Sequence, residues 1–126
     1  MDAPVRRVGV IGTGAMGGGV VQSLVRAGFV TLARDIRAEA QDLAVRHGAL
    51  PTASAAELAQ TADAIVILVV DAEQVETVLF GADGVTAAQS TTRMVLVSST
   101  VDPEYVGDLA PRLATRGIAL LDRGRE

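Results

Sequence analysis

The sequence predicts an α/β fold: a doubly wound, mainly parallel sheet of about six strands with helices on both faces. Three observations carry that expectation. Short apolar runs alternate along the chain with longer stretches of helical spacing. The run Ala64-Ile65-Val66-Ile67-Leu68-Val69-Val70 has no polar alternation, the pattern of a strand covered on both faces. Connections are short, so successive strands join through helices by right-handed crossovers.

The elements follow in order. Val5 to Ile11 reads as a buried strand ended by Gly12-Thr13-Gly14. Ala15 to Ala27 is a helix, with Met16, Val20, Leu24 and Ala27 at helical spacing and Gly28 as its stop. Phe29 to Ala33 is a second strand, ending at Arg34-Asp35. Ile36 to His47 is a helix with Ile36, Ala40, Leu43 and Ala44 on one face and Gly48 after it. Ser54-Ala55-Ala56-Glu57 has capping-box spacing before a short helix. Ala64 to Val70 is the strongest strand, and Asp71 is placed to cap the helix through Val75, Val78 and Leu79. Gly81 to Thr92 is a loop with room for a turn of helix. Met94 to Ser98 is another strand. Asp102-Pro103 is an N-cap with Pro at the first helical position, opening a helix towards Arg116. Gly117 stops it, and Ile118 to Leu121 is the last strand.

Composition narrows the function. The 126 residues suffice for one domain with a sizeable core. Hydrophobic residues make up 49%, which excludes disorder. The aromatic residues are Phe29, Phe80 and Tyr105, too few for a single-strand stacking platform. All eleven basic residues are Arg, and Lys and Asn are absent, so the chain supplies no Lys base or Schiff base. Without Cys there is no disulfide, thiolate nucleophile or Cys-ligated metal. One His, His47, makes neither a His-rich metal site nor an ordinary Ser-His triad. The net charge of −4 argues against a phosphate-backbone binder, so no nucleic-acid partner is expected. The longest apolar run is too short to span a bilayer, and residues 1–7 lack the apolar core of a signal peptide. No membrane partner is expected, and the expected address is the cytoplasm.

Gly12-Thr13-Gly14-Ala15-Met16-Gly17 is a G-x-G-x-x-G. Alone, such a motif is also what a tight strand-to-helix turn without a ligand would show. Here it follows a buried strand and opens a helix, and the acidic Asp35 stands at the end of the next strand, about 20 residues on. That is the dinucleotide-binding constellation of a Rossmann-type fold. Gly12 permits the sharp turn, Gly14 clears the pyrophosphate, and Gly17 lets the helix pack against the strand. The helix N-terminus offers N–H groups and a positive dipole end to phosphate. Asp35 would accept hydrogen bonds from the ribose hydroxyls and repel a 2′-phosphate, which favours NAD over NADP.

Other residues weigh less. Arg34 and Arg37 flank Asp35 and read as solvated side chains, although either has the charge to attract a 2′-phosphate. Asp71 reads as a helix cap, and His47 as a residue of a helix C-terminus. Ser98-Ser99-Thr100 lies at a strand end, where hydroxyls serve equally as turn residues or ligand contacts. Met16 reads as core packing beneath the first helix.

The stretch Val8-Gly9-Val10-Ile11-Gly12-Thr13-Gly14-Ala15-Met16-Gly17 resembles the N-terminal signature of the β-hydroxyacid dehydrogenase family, whose flavour includes the Met before the third Gly. The resemblance continues through Ala27-Gly28-Phe29, Asp35-Ile36-Arg37, Leu68-Val69-Val70-Asp71, Val78-Leu79-Phe80-Gly81, Ser98-Ser99-Thr100-Val101-Asp102-Pro103 and Leu120-Leu121-Asp122. The stretches at residues 35–40 and 69–74 are most similar to the L-threonate dehydrogenase branch. The resemblance implies that Gly12, Thr13, Gly14, Ala15, Met16, Gly17 and Asp35 hold the dinucleotide, and that Val69 and Val70 pass near its pyrophosphate. It implies that Thr100 approaches the nicotinamide and Ser99 the substrate.

After Asp122 the family continues with an Ala-Pro-Val-Ser-Gly-Gly substrate loop, where this chain has Arg123-Gly124-Arg125-Glu126. The family's catalytic Lys and its partner Asn lie beyond that point, and this sequence has neither. The expectation is therefore a dinucleotide-binding domain over residues 1–122 with a short tail at 123–126, lacking the helical domain that carries catalysis and dimer contacts. The chain is expected to bind NAD without turnover, with no catalytic residue and no metal site of its own. The reaction implied by resemblance is hydride transfer between NAD and a small hydroxy acid, which needs the helical domain. A homo-oligomer stays open. A stand-alone nucleotide-binding module and a truncated gene product are the alternatives.

Overall fold

The computed structural model describes residues 4–12, 15–69, 71–87, 89–98 and 102–122; of Ala15, Met16 and Asp122 it describes the backbone. Six strands and five helices alternate: β1 (Arg7–Ile11), α1 (Ala15–Arg26), β2 (Val30–Arg34), α2 (Ala38–Arg46), β3 (Leu50–Pro51), α3 (Ala55–Thr61), β4 (Ala64–Ile67), α4 (Ala72–Phe80), β5 (Met94–Val97), α5 (Pro103–Ala114) and β6 (Ala119–Asp122). The strands form one sheet in the order β3-β2-β1-β4-β5-β6, and every pairing is parallel. This is the doubly wound Rossmann arrangement, with the order reversing between β1 and β4.

Two hydrophobic layers sandwich the sheet. On one face Ile11, Leu32, Ile65, Ile67, Val95 and Val97 pack against Leu58 of α3, Val75 and Leu79 of α4, and Leu109 and Leu113 of α5. On the other, Val10 and Ala33 pack against Val21 of α1 and Ala44 of α2. The second layer covers the β1–β2 half. Over β4 and β5 the burial alternates, with Ala64, Val66, Met94 and Leu96 only half-buried. The two-sided coverage expected of β4 is thus met on one face, because α3, α4 and α5 all join the same layer.

Local chemistry explains the boundaries. α1, α2 and α5 end in the same way. Gly28, Gly48 and Gly117 take φ of 97°, 106° and 75°, and in each case the next N–H reaches back five residues, as from Phe29 to the Leu24 carbonyl at 3.1 Å. This C-terminal motif needs a left-handed residue, which glycine supplies without strain. Ser54 accepts the Glu57 N–H at 3.1 Å while Glu57 Oε1 accepts the Ala53 N–H at 3.1 Å, a reciprocal cap. Asp71 and Asp102 cap α4 and α5 as expected.

The departures are local. Ile36 stands outside α2 and is 87% exposed. Asp35 draws the Arg37 N–H onto its carboxylate at 2.8 Å, so the chain turns there and the helix begins two residues later than the spacing predicts. Leu43 is exposed as well, leaving Ala40 and Ala44 as the buried face of α2. β3 is two exposed residues paired with Leu32 and Ala33, too short to leave an apolar signature. β4 ends at Ile67 rather than at residue 70. The 81–92 loop contains successive i to i+3 turns, Gly84 N–H to Gly81 and Ala87 N–H to Gly84, rather than a turn of helix. Among the described residues no helix is long and apolar enough to cross a membrane.

Two contacts tie the helices of the first layer down. A Cβ on Gly9 would lie 2.1 Å from Leu58 Cδ2 and 2.8 Å from its Cγ, so the bare backbone of β1 is what lets α3 seat. Across α4 and α5, Arg112 grips the Glu76 carboxylate with both nitrogens, at 2.5 and 3.1 Å. Tyr105 donates its hydroxyl to Glu76 Oε1 at 2.7 Å, and the guanidinium lies 4.2 Å from the Phe80 ring centre. The Arg112 hydrogen bond holds the Glu76 carboxyl below its ordinary 4.5. Both partners are more than a third exposed, so solvent screens the pair and its contribution to stability is small.

Gly9→Ala is expected to destabilise the chain by about 1–3 kcal/mol, since Leu58 is fully buried and has nowhere to move; a urea midpoint equal to that of wild type would show that α3 yields freely. For Glu76, whose carboxyl the Arg112 hydrogen bond holds below its ordinary value, the stabilisation is fully present above the ordinary carboxylate range and is lost as the pH falls through and below it. Urea midpoints measured across that window should fall more steeply for wild type than for Glu76→Gln, and parallel slopes would remove the pair from the acid response.

Candidate functional site

The order reversal between β1 and β4 opens a cleft at the carboxyl ends of the strands. Two backbone hydrogen bonds leave the end of β1 in opposite directions: Gly12 N–H to the Arg34 carbonyl at 3.0 Å, and Leu68 N–H to the Ile11 carbonyl at 2.9 Å. Beyond them the chains diverge. The cavity between them is about 910 Å³ and is lined by Gly12, Gly17, Asp35, Ile36, Val69 and Val78, among others. That is the size of a small-molecule or cofactor site, at the position where open α/β sheets bind ligands.

Gly12 is required there twice over. Its φ is +86°, and a Cβ would sit 3.1 Å from both the Leu68 carbonyl carbon and Val69 Cγ1. Only glycine accepts that backbone at no steric cost, and only the bare backbone lets the end of β4 approach so closely. α1 opens immediately after the turn. Its first turn carries no acidic residue, and a helix N-terminus presents backbone N–H groups and the positive end of its dipole.

Asp35 closes the other end of the cleft. Its side chain is only 5% exposed. Its carboxylate accepts the Arg37 N–H at 2.8 Å and meets Arg37 Nε at 3.4 Å. Arg37 is mostly solvated, as expected, yet it is also the ion-pair partner of Asp35. Ile36 and Arg34 lie along the same rim.

The structure thus brings Gly12, Gly17, Asp35 and Val69 to one cavity. Ala15 and Met16 occupy the first turn of α1, where the backbone alone is described. Thr13, Gly14, Val70, Ser99 and Thr100 lie outside the described residues. His47 is the C-terminal cap of α2, its Nε2 3.2 Å from Gln22 Nε2, and it does not line the cleft. Asp71 serves as a cap. Residues that the sequence did not mark as site residues also line the cavity. Ile36 and Val78 give it apolar surface beside Thr77, and Ser54-Ala55 and Ala82-Asp83 line it as well. The ionisable residues among those lining it are Arg34, Asp35, Arg37, Glu73 and Asp83. A smaller cavity of about 450 Å³, beside Thr86, Gln89 and Arg116, holds none of the expected site residues. Among the described residues no three metal-ligating side chains cluster.

Comparison with known proteins agrees with this geometry. The family described as the NAD-binding domain of 6-phosphogluconate dehydrogenase matches residues 7–124. L-threonate dehydrogenase of Cupriavidus necator is 48% identical over 117 residues, covering 93% of this chain and 39% of that protein. The solved 3-hydroxyisobutyrate dehydrogenase of Salmonella typhimurium superposes with a TM-score of 0.81 at 38% identity, covering 91% of this chain and 40% of its own. The Mycobacterium tuberculosis 3-hydroxyisobutyrate dehydrogenase gives 0.83 at 26% identity, covering 94% and 40%. This chain therefore spans about two fifths of the length of these relatives.

Proposed function

We propose that this chain, which belongs to the family of NAD-binding domains of 6-phosphogluconate dehydrogenase, holds NAD in the cleft between the ends of β1, β2 and β4. The observation that carries this reading is the shared cavity of Gly12, Gly17 and Asp35. A glycine turn and a helix N-terminus with no acidic residue in its first turn, at one end, suit a pyrophosphate. A buried carboxylate at the other suits a ribose diol. In this reading Gly12, Thr13, Gly14, Ala15, Met16 and Gly17 cradle the phosphates, and Val69 and Val70 bound them. The family resemblance would bring Thr100 to the nicotinamide and Ser99 to the substrate. Ile36, almost fully exposed at the rim beside Asp35, offers an apolar surface to the flat adenine.

Asp35 selects NAD over NADP. Its carboxylate accepts from both ribose hydroxyls, and a 2′-phosphate would bring negative charge against it. Bound NAD supplies a hydride acceptor. The substrate, by analogy with the named relatives, is a small hydroxy acid such as L-threonate. The proton of its hydroxyl needs a base, a role that the family resemblance gives to a Lys. The sequence has no Lys, and its one His caps α2 away from the cleft. A helical domain supplying that base would complete the enzyme, and this chain alone binds without turnover.

Calorimetry on the 126-residue chain tests both statements. NAD is expected to bind at least about tenfold tighter than NADP, a difference of about 1.4 kcal/mol, and Asp35→Asn should narrow that gap. Tighter binding of NADP would overturn the assignment. Chain mixed with NAD and L-threonate should yield no NADH absorbance, and steady NADH formation would refute the claim that the base lies elsewhere.

A further inference from the structure

Gln41 stands on α2, six residues past Asp35, and every hydrogen-bonding atom of its side-chain amide is used. Oε1 accepts the Asp35 backbone N–H at 2.6 Å. Nε2 donates to the Ala33 carbonyl at 3.1 Å and to the Thr52 carbonyl at 3.2 Å. One amide orientation alone satisfies this set, because an N–H faces one end and two carbonyls face the other. A single half-buried side chain therefore joins the end of β2, the segment after β3 and the first turns of α2. Its shortest hydrogen bond goes to Asp35, which lines the cleft.

We propose that Gln41 is the positioning and specificity-determining residue of the ribose end of the site. It acts through Asp35, holding that backbone so that the carboxylate presents to a ribose diol and opposes a 2′-phosphate. The inference rests on the reading of the cleft as a dinucleotide site. Arg37 N–H fixes the carboxylate from the far side of the turn, but the turn itself is anchored to the sheet edge through Gln41. Without the amide the Asp35 peptide loses that 2.6 Å hydrogen bond, the carboxylate shifts, and both halves of the discrimination weaken together: attraction for the diol and repulsion of the phosphate.

The test is binding of NAD and NADP by calorimetry to the full chain, with thermal unfolding followed alongside. Gln41→Met keeps the length of the side chain and removes its hydrogen bonds. It is expected to weaken NAD about tenfold, to leave NADP within about twofold, and so to collapse the ratio of affinities. Thr52→Val removes a neighbouring bond, from Thr52 Oγ1 to the same Ala33 carbonyl at 3.0 Å. It should lower the melting temperature while leaving the ratio unchanged, and an equal collapse of the ratio in Thr52→Val would mean general loosening and overturn the assignment. In an Asp35→Ala background, Gln41→Met should change NAD affinity less than about twofold; an undiminished tenfold loss there overturns action through Asp35. If Gln41→Met does not fold, Gln41→Glu, which keeps the acceptor and loses both donors, is read by the same ratio: a fall of at least about threefold supports the assignment and an unchanged ratio overturns it. Wild type that binds neither dinucleotide overturns the reading of the cleft and this inference with it. Wild type that binds NAD while the Gln41 variants keep its ratio overturns this inference alone.

Discussion

Two backbone hydrogen bonds at the end of β1 govern the carboxyl edge of the sheet: Gly12 N–H to Arg34 and Leu68 N–H to Ile11. β1 is the one strand at which the chain's order reverses, with β2 on one side and β4 on the other. While the three strands run together, the ladder satisfies their backbone groups. Where it stops, β1 must turn sharply into α1, β2 must turn towards α2, and β4 must leave before it meets either. Gly12 makes the first turn possible. Its missing side chain also lets the Leu68–Val69 backbone pass at contact distance. The cleft is what remains between three chains leaving a common edge, so its position follows from topology and needs no cavity carved into the core.

Much of this was legible in the residues. The glycine turn, Asp35 at the end of the second strand, the three glycine stops and the caps at Ser54, Asp71 and Asp102 all work through local chemistry, within a few residues of chain. Patterns of that kind leave fixed spacings. What escaped is what depends on distant chain. β3 exists because β2 has a free edge, not because Leu50-Pro51 is a strong strand former. Ile36 reads as part of an apolar helix face, yet the Asx-type turn of Asp35 moves the start of α2 past it. The unbroken apolar run of β4 implies cover on both faces, whereas α3, α4 and α5 all pack on one. Gln41 carries no signal, because a Gln on a helix is unremarkable until its partners from β2 and the segment after β3 are known.

The two faces of the sheet carry different loads. The continuous layer runs from Leu32 on β2 to Val95 and Val97 on β5, and takes the bulkiest buried side chains. The opposite layer is built of Val10, Val21, Ala33, Ala44 and Ala49. Small residues there let α1 and α2 lie close to the sheet. That closeness sets the height of the first turn of α1 above the cleft, and brings Gln41 within hydrogen-bonding reach of β2. Enlarging Ala33 or Ala44 would lift the helices that face the ligand, whereas enlarging Val95 would strain a layer remote from it.

Charge is distributed in the same spirit. The glycine end of the cleft offers N–H groups and a helix dipole with no acidic side chain in the first turn. The other end offers a buried carboxylate already committed to Arg37 and tied down through its backbone by Gln41. A ligand that satisfies both is anionic where it meets the glycine turn and neutral but hydroxylated where it meets Asp35. A polyanion would meet Asp35 as well as Glu73 and Asp83 along the rim. The polarity of the cleft therefore restricts the ligand more narrowly than its volume does, and it does so with groups supplied by β1, β2 and the two helices between which they run.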